Sequence, residues 1–288
     1  MDILISCNDR YGMPTMVMLT SLLSSNSGDS GSYHCVHMLE SELSDEMNEK
    51  ISTLVSGYGW DYKRIHVRDD LFERAKTLSY ISRETYFRLL APQVLPESVE
   101  RILWLDSDIL VRGDISSLFG LDLGGSAVAA CGYGPAMEQL IRNNAVRLGL
   151  AHPETYFNAG VMLMDLPACR NAVSEDNLAR IATEKTGDFL FPGQDTVNLL
   201  FDGMIRLLDY RVYNCMTHCI VTPEDLAYAR ENALIVHFPG EAKPWRFDDI
   251  HFSDEWAEWY RRCFGEYAPL RRMSYFRLKA LYERQKGN

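Results

Sequence analysis

Apolar residues along the chain form short runs of strand type, separated by segments with helical spacing. Strands are predicted at residues 2–7, 33–40, 63–67, 101–105, 126–132, 160–166 and 234–238. Helices are predicted at residues 16–23, from 44 onward, 85–90, 135–148, 167–186 and 194–201. This alternation predicts an α/β fold with a mainly parallel central sheet flanked by helices.

Two polar turns follow predicted strands, one at Asn8-Asp9 and one at Asp106-Ser107-Asp108. Side chains alternate between the two faces of an extended chain, so Asp106 and Asp108 should point one way and Ser107 the other. The carboxyl ends of parallel strands meet at one edge of a sheet, where ligands collect. We therefore expect the two turns to lie close together.

The adjacent carboxylates of Asp106 and Asp108 repel each other and are costly to bury. A divalent cation removes that cost, and aspartate oxygens suit Mg²⁺ or Mn²⁺ with substrate phosphates completing the site. A loop that begins with two solvated acids explains the same three residues equally well. The motif alone leaves both interpretations open.

Composition narrows the class of protein. The chain has 288 residues, 47% of them hydrophobic, with a formal net charge of −11, which argues against a general nucleic-acid binder. Seven cysteines without a signal peptide indicate a reducing compartment, so the cytoplasm is the expected location. We expect one domain over residues 1–264 and a basic, aromatic helical tail over 265–288.

Four sequence motifs follow one another along the chain, at residues 102–111, 156–165, 193–198 and 236–245. Together with the turn at 8–11 they resemble glycosyltransferase family 8. The resemblance runs from Asp2 to about Trp245, and it implies a GT-A fold, in which an α/β domain binds a nucleotide-diphospho-sugar. It also implies retaining transfer of a sugar.

The family resemblance assigns the metal. It implies that Asp106, Asp108 and His237 hold Mn²⁺, or Mg²⁺, and that the metal bridges the diphosphate of a UDP-sugar. Two carboxylates and one imidazole are a suitable ligand set for Mn²⁺.

The resemblance also implies a donor site. Lys243 matches a lysine that contacts the diphosphate, Arg88 an arginine that reaches the donor sugar and phosphates, and Asn158 an asparagine that bonds sugar hydroxyls. Nucleotide-sugar contacts are further expected at Asn8, Tyr11, Asp106, Ser107, Ala159 and Gly240.

Gln194 matches a glutamine beside the anomeric carbon, on the face opposite the leaving group. A glutamine is a poor nucleophile, so same-face attack is favoured over double displacement, with Asp195 as an alternative contact or nucleophile. Gly193 stands where the family often has an acid, and Asn8 and Arg10 also depart from galactosyltransferase-like members. These departures leave the identity of the sugar open.

The expected function is transfer of a hexose, glucose or galactose, from a UDP-sugar to a glycan or glycolipid acceptor such as lipopolysaccharide. One alternative is a non-catalytic nucleotide-sugar-binding protein, because Gly193 removes a carboxylate. Another is a sugar-nucleotide nucleotidyltransferase, although the first turn lacks the glycine-rich basic loop of such enzymes. The sequence predicts no oligomeric state.

The tail at 265–288 has six basic and two acidic residues. A basic helix with an aromatic face can lie on an anionic membrane, here the inner face of the cytoplasmic membrane. A helix docked on the domain with its basic residues in water explains the same composition.

Overall fold

The computed structural model describes residues 1–26, 33–67, 83–174, 177 and 189–265, with the backbone alone at 83–86. Its strands are β1 (Asp2–Ser6), β2 (Cys35–Glu40), β3 (Asp61–His66), β4 (Arg101–Leu105), β5 (Ile109–Val111), β6 (Val128–Cys131), β7 (Asn158–Asp165), β8 (Ile205–Leu208), β9 (Cys215–Met216) and β10 (Ile235–His237).

The α-helices of the described ranges lie between these strands or, for the last helix, after β10. They are α1 (Asp9–Ser25), α2 (Asp45–Gly57), α3 (Arg83–Val94), α4 (Ser116–Phe119), α5 (Pro135–Leu148), α6 (Leu166–Ala172), α7 (Pro192–Leu200), α8 (Tyr210–Tyr213), α9 (Pro223–Asn232) and α10 (Ser253–Phe264). Two 3-10 turns occur at Pro153–Thr155 and Thr217–Cys219.

Seven strands form the central sheet in the order β3-β2-β1-β4-β7-β6-β8. Strands β3, β2, β1 and β4 are parallel, whereas β7 lies between β4 and β6 and runs antiparallel to both. A second sheet has the order β5-β10-β9. The prediction of an α/β fold with a mostly parallel sheet is confirmed, and the small sheet was not predicted.

Strand β4 shows how the central sheet carries a core on both faces. Ile102 and Trp104 pack into one apolar cluster, and Leu103 and Leu105 pack into another on the opposite face. All four side chains are at most 1% exposed. A strand covered on both faces reads as a continuous apolar run, which is why the sequence signal for β4 is strong.

Three predicted helix boundaries are wrong. Helix α1 begins at Asp9, because the Asn8 side chain caps it by accepting hydrogen bonds from the backbone of Arg10 and Tyr11. The helix predicted at residues 16–23 therefore begins earlier, and Pro14 lies inside it. Helix α3 was expected to end before Pro92 but continues to Val94.

The third error concerns the helix predicted over residues 167–186. Helix α6 ends at Ala172, and the Ser174 hydroxyl accepts a hydrogen bond at 3.1 Å from the backbone of Asn177. Serine side chains compete with helical backbone bonds in this way, so a break here is expected in retrospect. The rest of that prediction, apart from residue 177, lies outside the described residues, as does the predicted tail beyond Gly265. In the part of the chain that is described, no helix is both long and apolar enough to cross a membrane.

Candidate active site

The carboxyl end of β4 carries Asp106 and Asp108 at the edge of the central sheet. The backbone N–H of Asp106 donates to the Gly160 carbonyl at 2.8 Å, and the Ser107 hydroxyl donates to the Ser6 carbonyl at 3.0 Å. Ser107 thus points toward β1, while the two carboxylates point away from it and toward His237. This is the alternation that the sequence predicts.

His237 reaches the two aspartates because of the small sheet. Strand β10 runs antiparallel to β5, which pairs His237 with Ile109, the residue directly after Asp108. The backbone N–H of Phe238 also donates to the Asp108 carbonyl at 2.9 Å. As a result, one oxygen from each of Asp106 and Asp108 and one His237 nitrogen all lie within 4.8 Å of one another.

Gly160 gives the His237 ring its space. A β-carbon built at Gly160 would lie 2.3 Å from Cε1 of His237 and 2.9 Å from its Nδ1. No side chain tolerates such contacts, so a residue larger than glycine would push the ring away. Glycine at the start of a strand often marks such a close approach.

The residues present fit a divalent metal. His237 is 2% exposed, its Nδ1 lies 2.9 Å from Oδ1 of Asn214, and its Nε2 lies 3.3 Å from Oδ1 of Asp108. The Asn214 oxygen can only accept, so Nδ1 carries a proton, and Nε2 is the ring nitrogen that faces Asp108 and could bind a metal. Metal-ligating histidines usually have such a partner on the second nitrogen. Asp106, Asp108 and His237 could hold Mn²⁺ or Mg²⁺.

Arg88 neutralises Asp106. Its guanidinium donates to Oδ1 of Asp106 at 3.0 Å and to the Ala159 carbonyl at 2.9 Å, and it lies over the Trp104 ring at 5.0 Å. The indole N–H of Trp104 donates to the same Asp106 oxygen at 2.8 Å. The arginine is therefore held at the rim by three contacts, while its predicted contact with a donor phosphate stays a prediction.

Lys243 contacts Asp108 and also donates to the Phe238 carbonyl at 2.7 Å. Burial would raise the pKa of Asp108, but the charges and hydrogen bonds of His237 and Lys243 outweigh it and hold that pKa well below its usual range. Lys243 is 7% exposed, so it is not a surface lysine. Its charge is paired with the Asp108 carboxylate.

A cleft of about 390 Å³ opens in front of Asp106, Ser107 and Asp108 and is also lined by Asn8 and Tyr11. The Tyr11 ring is 38% exposed and packs edge-on against Trp245, with ring centroids 6.0 Å apart. The structure therefore brings the two turns together at one rim, as predicted.

A second cleft of about 690 Å³ is lined by Asn158, Gln194, His218 and Gly240. Gly240 has φ +74°, a left-handed conformation that favours glycine. Burial and the neighbouring His237 lower the pKa of His218 to about 4, so this ring is neutral near pH 7.

Gln194 is held by three side chains. Its Oε1 accepts from the Tyr133 hydroxyl at 2.8 Å and from Nδ2 of Asn158 at 3.1 Å, and its Nε2 donates to the Tyr156 hydroxyl at 3.0 Å. Burial raises the pKa of Tyr133 to about 12, so that hydroxyl stays protonated and able to donate. The orientation of the Gln194 amide is therefore fixed.

Asp195 is fully buried behind Gln194. Its Oδ1 accepts from the Tyr156 hydroxyl and, at 2.8 Å, from Asn144, and its Oδ2 accepts from the backbone N–H groups of Leu190 and Phe191 at 2.8 and 2.9 Å. Four donors around a buried carboxylate stabilise its charge. This arrangement favours a positioning role for Asp195 over attack on a sugar.

Sequence reasoning missed Asn214, Tyr133 and Tyr156, and it gave Trp104 no role. Tyr156 and Trp104 lie inside the four motifs, so a search for donors next to the predicted ligands would have found them. Asn214 precedes Cys215-Met216-Thr217-His218-Cys219, and no local pattern marks it, since its partners lie far away in the sequence.

Comparison with solved structures shows a shared architecture. The galactosyltransferase LgtC, solved in complex with donor and acceptor sugar analogues, superposes with a TM-score of 0.74 at 24% identity over 93% of this chain and 98% of that one. The bifunctional glycosyltransferase WbbM superposes with a TM-score of 0.73 at 21% identity, covering 90% of this chain and 49% of that chain. The fold is the GT-A fold of glycosyltransferases.

Sequence comparison gives the family. General stress protein A of Bacillus subtilis is 28% identical over 268 residues, which are 88% of this chain and 91% of that protein. The lipopolysaccharide 1,2-glucosyltransferase of Escherichia coli K12 is 33% identical over 174 residues, and the match spans 57% of this chain and only 49% of that enzyme. The family model for glycosyl transferase family 8 matches residues 2–249. The chain therefore belongs to glycosyl transferase family 8 and is a glycosyltransferase.

Proposed function

We propose that this enzyme is a metal-dependent retaining glycosyltransferase that moves a hexose, glucose or galactose, from a UDP-sugar to a glycan or glycolipid acceptor. One observation carries the proposal: the ligand atoms of Asp106, Asp108 and His237 lie within 4.8 Å of one another, with Arg88 and Lys243 paired to the two carboxylates. Two carboxylates, an imidazole and two cationic side chains form a suitable centre for a metal-bound polyanion such as a diphosphate.

We assign the nucleotide to the first cleft, and the donor sugar and the acceptor to the second. The first cleft, with Asn8 and Tyr11 at one side and the double aspartate at the other, suits the nucleotide. Tyr11 offers an exposed ring for stacking on the base. The second cleft holds Asn158 and Gln194, and it leaves room for the acceptor beyond the donor sugar.

Bound at Asp106, Asp108 and His237, Mn²⁺ or Mg²⁺ would act as a Lewis acid on the leaving diphosphate. Lys243 would exchange its contact with Asp108 for a diphosphate oxygen, so its positive charge stabilises the charge that develops on the leaving group. Arg88 would hold the same phosphates from the other side, keeping the bond to be broken aligned.

For a retaining transfer, the neutral amide of Gln194 argues against double displacement. An amide oxygen that accepts two hydrogen bonds is a weak nucleophile, and the buried Asp195 has all its capacity engaged. Acceptor attack on the face from which the diphosphate leaves is therefore favoured, with a diphosphate oxygen taking the acceptor proton. Gln194 then shields the opposite face of the sugar.

The proposed class of acceptor is based on proteins to which this chain is similar in sequence. Matching proteins include lipopolysaccharide 1,2-glucosyltransferase and lipopolysaccharide 1,3-galactosyltransferase, although this chain spans about half the length of each. We therefore propose a glycan or glycolipid acceptor of the lipopolysaccharide type.

The decisive measurement is UDP release from UDP-glucose and UDP-galactose with and without Mn²⁺. Asp108→Asn should lower metal-dependent release by at least about 1000-fold, because several kcal/mol of charge stabilisation are lost. Asp61→Asn is the matched control, since Asp61 is exposed at the amino end of β3, on the opposite edge of the sheet.

Full activity of Asp108→Asn would contradict the metal centre. A wild-type protein that binds UDP-sugars in calorimetry but releases no UDP with any of several glycan acceptors would instead identify a non-catalytic binder. A panel of UDP-sugars with Mn²⁺ present fixes the donor in the same experiment.

A further inference from the structure

Asn214 lies between the two sheets. It follows helix α8 and precedes strand β9, whose parallel pairing with β10 sets Met216 beside His237. The Asn214 side chain is fully buried, and both ends of its amide contact residues of the proposed site. Its Oδ1 lies 2.9 Å from Nδ1 of His237, and its Nδ2 donates to Oδ1 of Asn158 at 3.0 Å.

The Asn214 amide determines the orientation of the next amide. Asn158 Oδ1 accepts from Asn214 and also from the backbone N–H of Gly160 at 3.0 Å. Nδ2 of Asn158 must therefore face the other way, toward Tyr133 and Gln194, which it contacts at 3.2 and 3.1 Å. If the Asn158 amide were turned by 180°, its oxygen would face Oε1 of Gln194 and its nitrogen would face Nδ2 of Asn214.

The hydrogen bonds that follow, from Gln194 to Asp195, have their donors oriented in the same direction. Gln194 accepts at Oε1 and donates from Nε2 to Tyr156, and Tyr156 donates to the buried carboxylate of Asp195. Every donor in this series points away from His237. The series begins at the proposed metal ligand and ends at an anion that can only accept.

From this geometry we infer that Asn214 is a positioning residue that couples the metal-binding histidine to the asparagine and glutamine that face the donor sugar. The inference rests on the proposed function. Asn214 touches neither metal nor substrate; it fixes the proton on Nδ1 of His237 and the direction of the Asn158 amide. Loss of either bond should therefore affect a different property of the enzyme.

Two substitutions separate the two bonds. In Asn214→Asp the new carboxylate still accepts from Nδ1 of His237, but it has no N–H for Asn158 and repels its Oδ1. In Asn214→Leu, of similar volume, both bonds are lost. Asn26→Leu is the matched control, because Asn26 is also a buried asparagine, 7% exposed, and its amide bonds backbone groups of Leu22, Gly113 and Ile115, away from the proposed site.

Mn²⁺ affinity is measured by electron paramagnetic resonance of the free ion, without any turnover. Asn214→Leu should weaken Mn²⁺ binding about 10- to 100-fold. Removing the hydrogen-bond partner of a histidine's second ring nitrogen typically lowers metal affinity by this amount. Asn214→Asp should bind Mn²⁺ within about threefold of wild type and yet lose about 10-fold or more in UDP-sugar turnover. Asn26→Leu should lower the melting temperature and leave Mn²⁺ affinity unchanged.

The inference is overturned if Asn214→Leu binds Mn²⁺ as wild type does, or if Asn214→Asp turns over the UDP-sugar at the wild-type rate. If Asn214→Leu does not fold, the split between metal affinity and turnover in Asn214→Asp decides alone. Failure of the proposed function would look different, because the wild-type protein would then release no UDP in the presence of Mn²⁺.

Discussion

At the scale of single residues, the geometry of the candidate site depends on Gly160, which has no β-carbon. Gly160 lies against the His237 ring, and the Gly160 carbonyl also accepts from the backbone of Asp106. One residue thus fixes how closely strand β7 approaches both Asp106 and His237, two of the proposed metal ligands. Its effect is steric, so it can be tested without changing any charge or hydrogen-bonding side chain.

Gly160→Ala should displace the His237 ring by more than 1 Å, since its new β-carbon would otherwise lie 2.3 Å from Cε1. We expect Mn²⁺ affinity and metal-dependent UDP release to fall at least about 10-fold, because a metal ligand moves out of place. Isothermal titration with Mn²⁺ measures the first effect.

Gly57→Ala is the control for this substitution. Gly57 ends helix α2, and nothing lies within 4 Å of a β-carbon placed there, so alanine should leave the site unchanged and the fold equally or more stable. Wild-type Mn²⁺ affinity in Gly160→Ala would show that His237 is not a ligand.

The sequence predicted the charged residues of the site better than the neutral ones. Asp106 and Asp108 are recognisable because two acids at a strand end are costly without a partner, and His237 because of the motif that contains it. Asn214 and Tyr133 carry no such signal, since a buried amide or phenol is defined by its partners, and those partners come from other parts of the chain.

At the scale of elements, an ion pair joins strands β1 and β2 near the amino end of β1, away from the candidate site at the carboxyl ends of the strands. Nε2 of His37 lies 2.8 Å from Oδ1 of Asp2, and His37 is fully buried. Burial lowers the pKa of His37, but the hydrogen bond to Asp2 and the neighbouring Cys35 outweigh it and raise that pKa to about 9.

A pKa of His37 raised from 6.5 to about 9 makes stability depend on pH. The contribution is fully present below about pH 6.5 and is lost as the pH rises through 9, because the folded state holds a proton that the unfolded state has released. The free energy of unfolding in urea should therefore fall by about 3 kcal/mol between pH 6 and pH 9.5.

In His37→Gln this part of the pH dependence should disappear. His66→Gln is the matched control, because the His66 side chain on β3 is 61% exposed, and this variant should keep the wild-type profile. A profile of His37→Gln that parallels wild type would show that His37 is neutral in the folded protein.

Elements with local signals were predicted, and elements made by distant pairing were not. Strand β1 and helix α5 have the apolar spacing of their type and were found at nearly their observed bounds. Strand β5 has three residues and exists because β10 pairs with it from more than a hundred residues away. A segment of that length has no periodicity to detect.

At the scale of the whole molecule, charge is unevenly distributed along the chain. The formal net charge is −11, yet residues 265–288 carry six basic and two acidic side chains. We therefore propose that this tail binds an anionic membrane surface, where each basic residue contributes about 1 kcal/mol at low salt. A glycolipid acceptor would then be met at the same surface.

The full chain should sediment with vesicles of anionic lipid at low salt and should be released at high salt. A chain truncated after Pro269 should stay in the supernatant, and neutral vesicles should bind neither protein. Equal sedimentation of the two proteins with anionic vesicles would contradict membrane binding by the tail.

The pairing of β10 with β5 has a consequence for synthesis of the enzyme. Asp106 and Asp108 leave the ribosome long before His237, so the proposed metal centre cannot form until β10 has been made and has paired with β5. A nascent chain that ends before β10 therefore carries the two aspartates without the histidine that would complete the proposed centre.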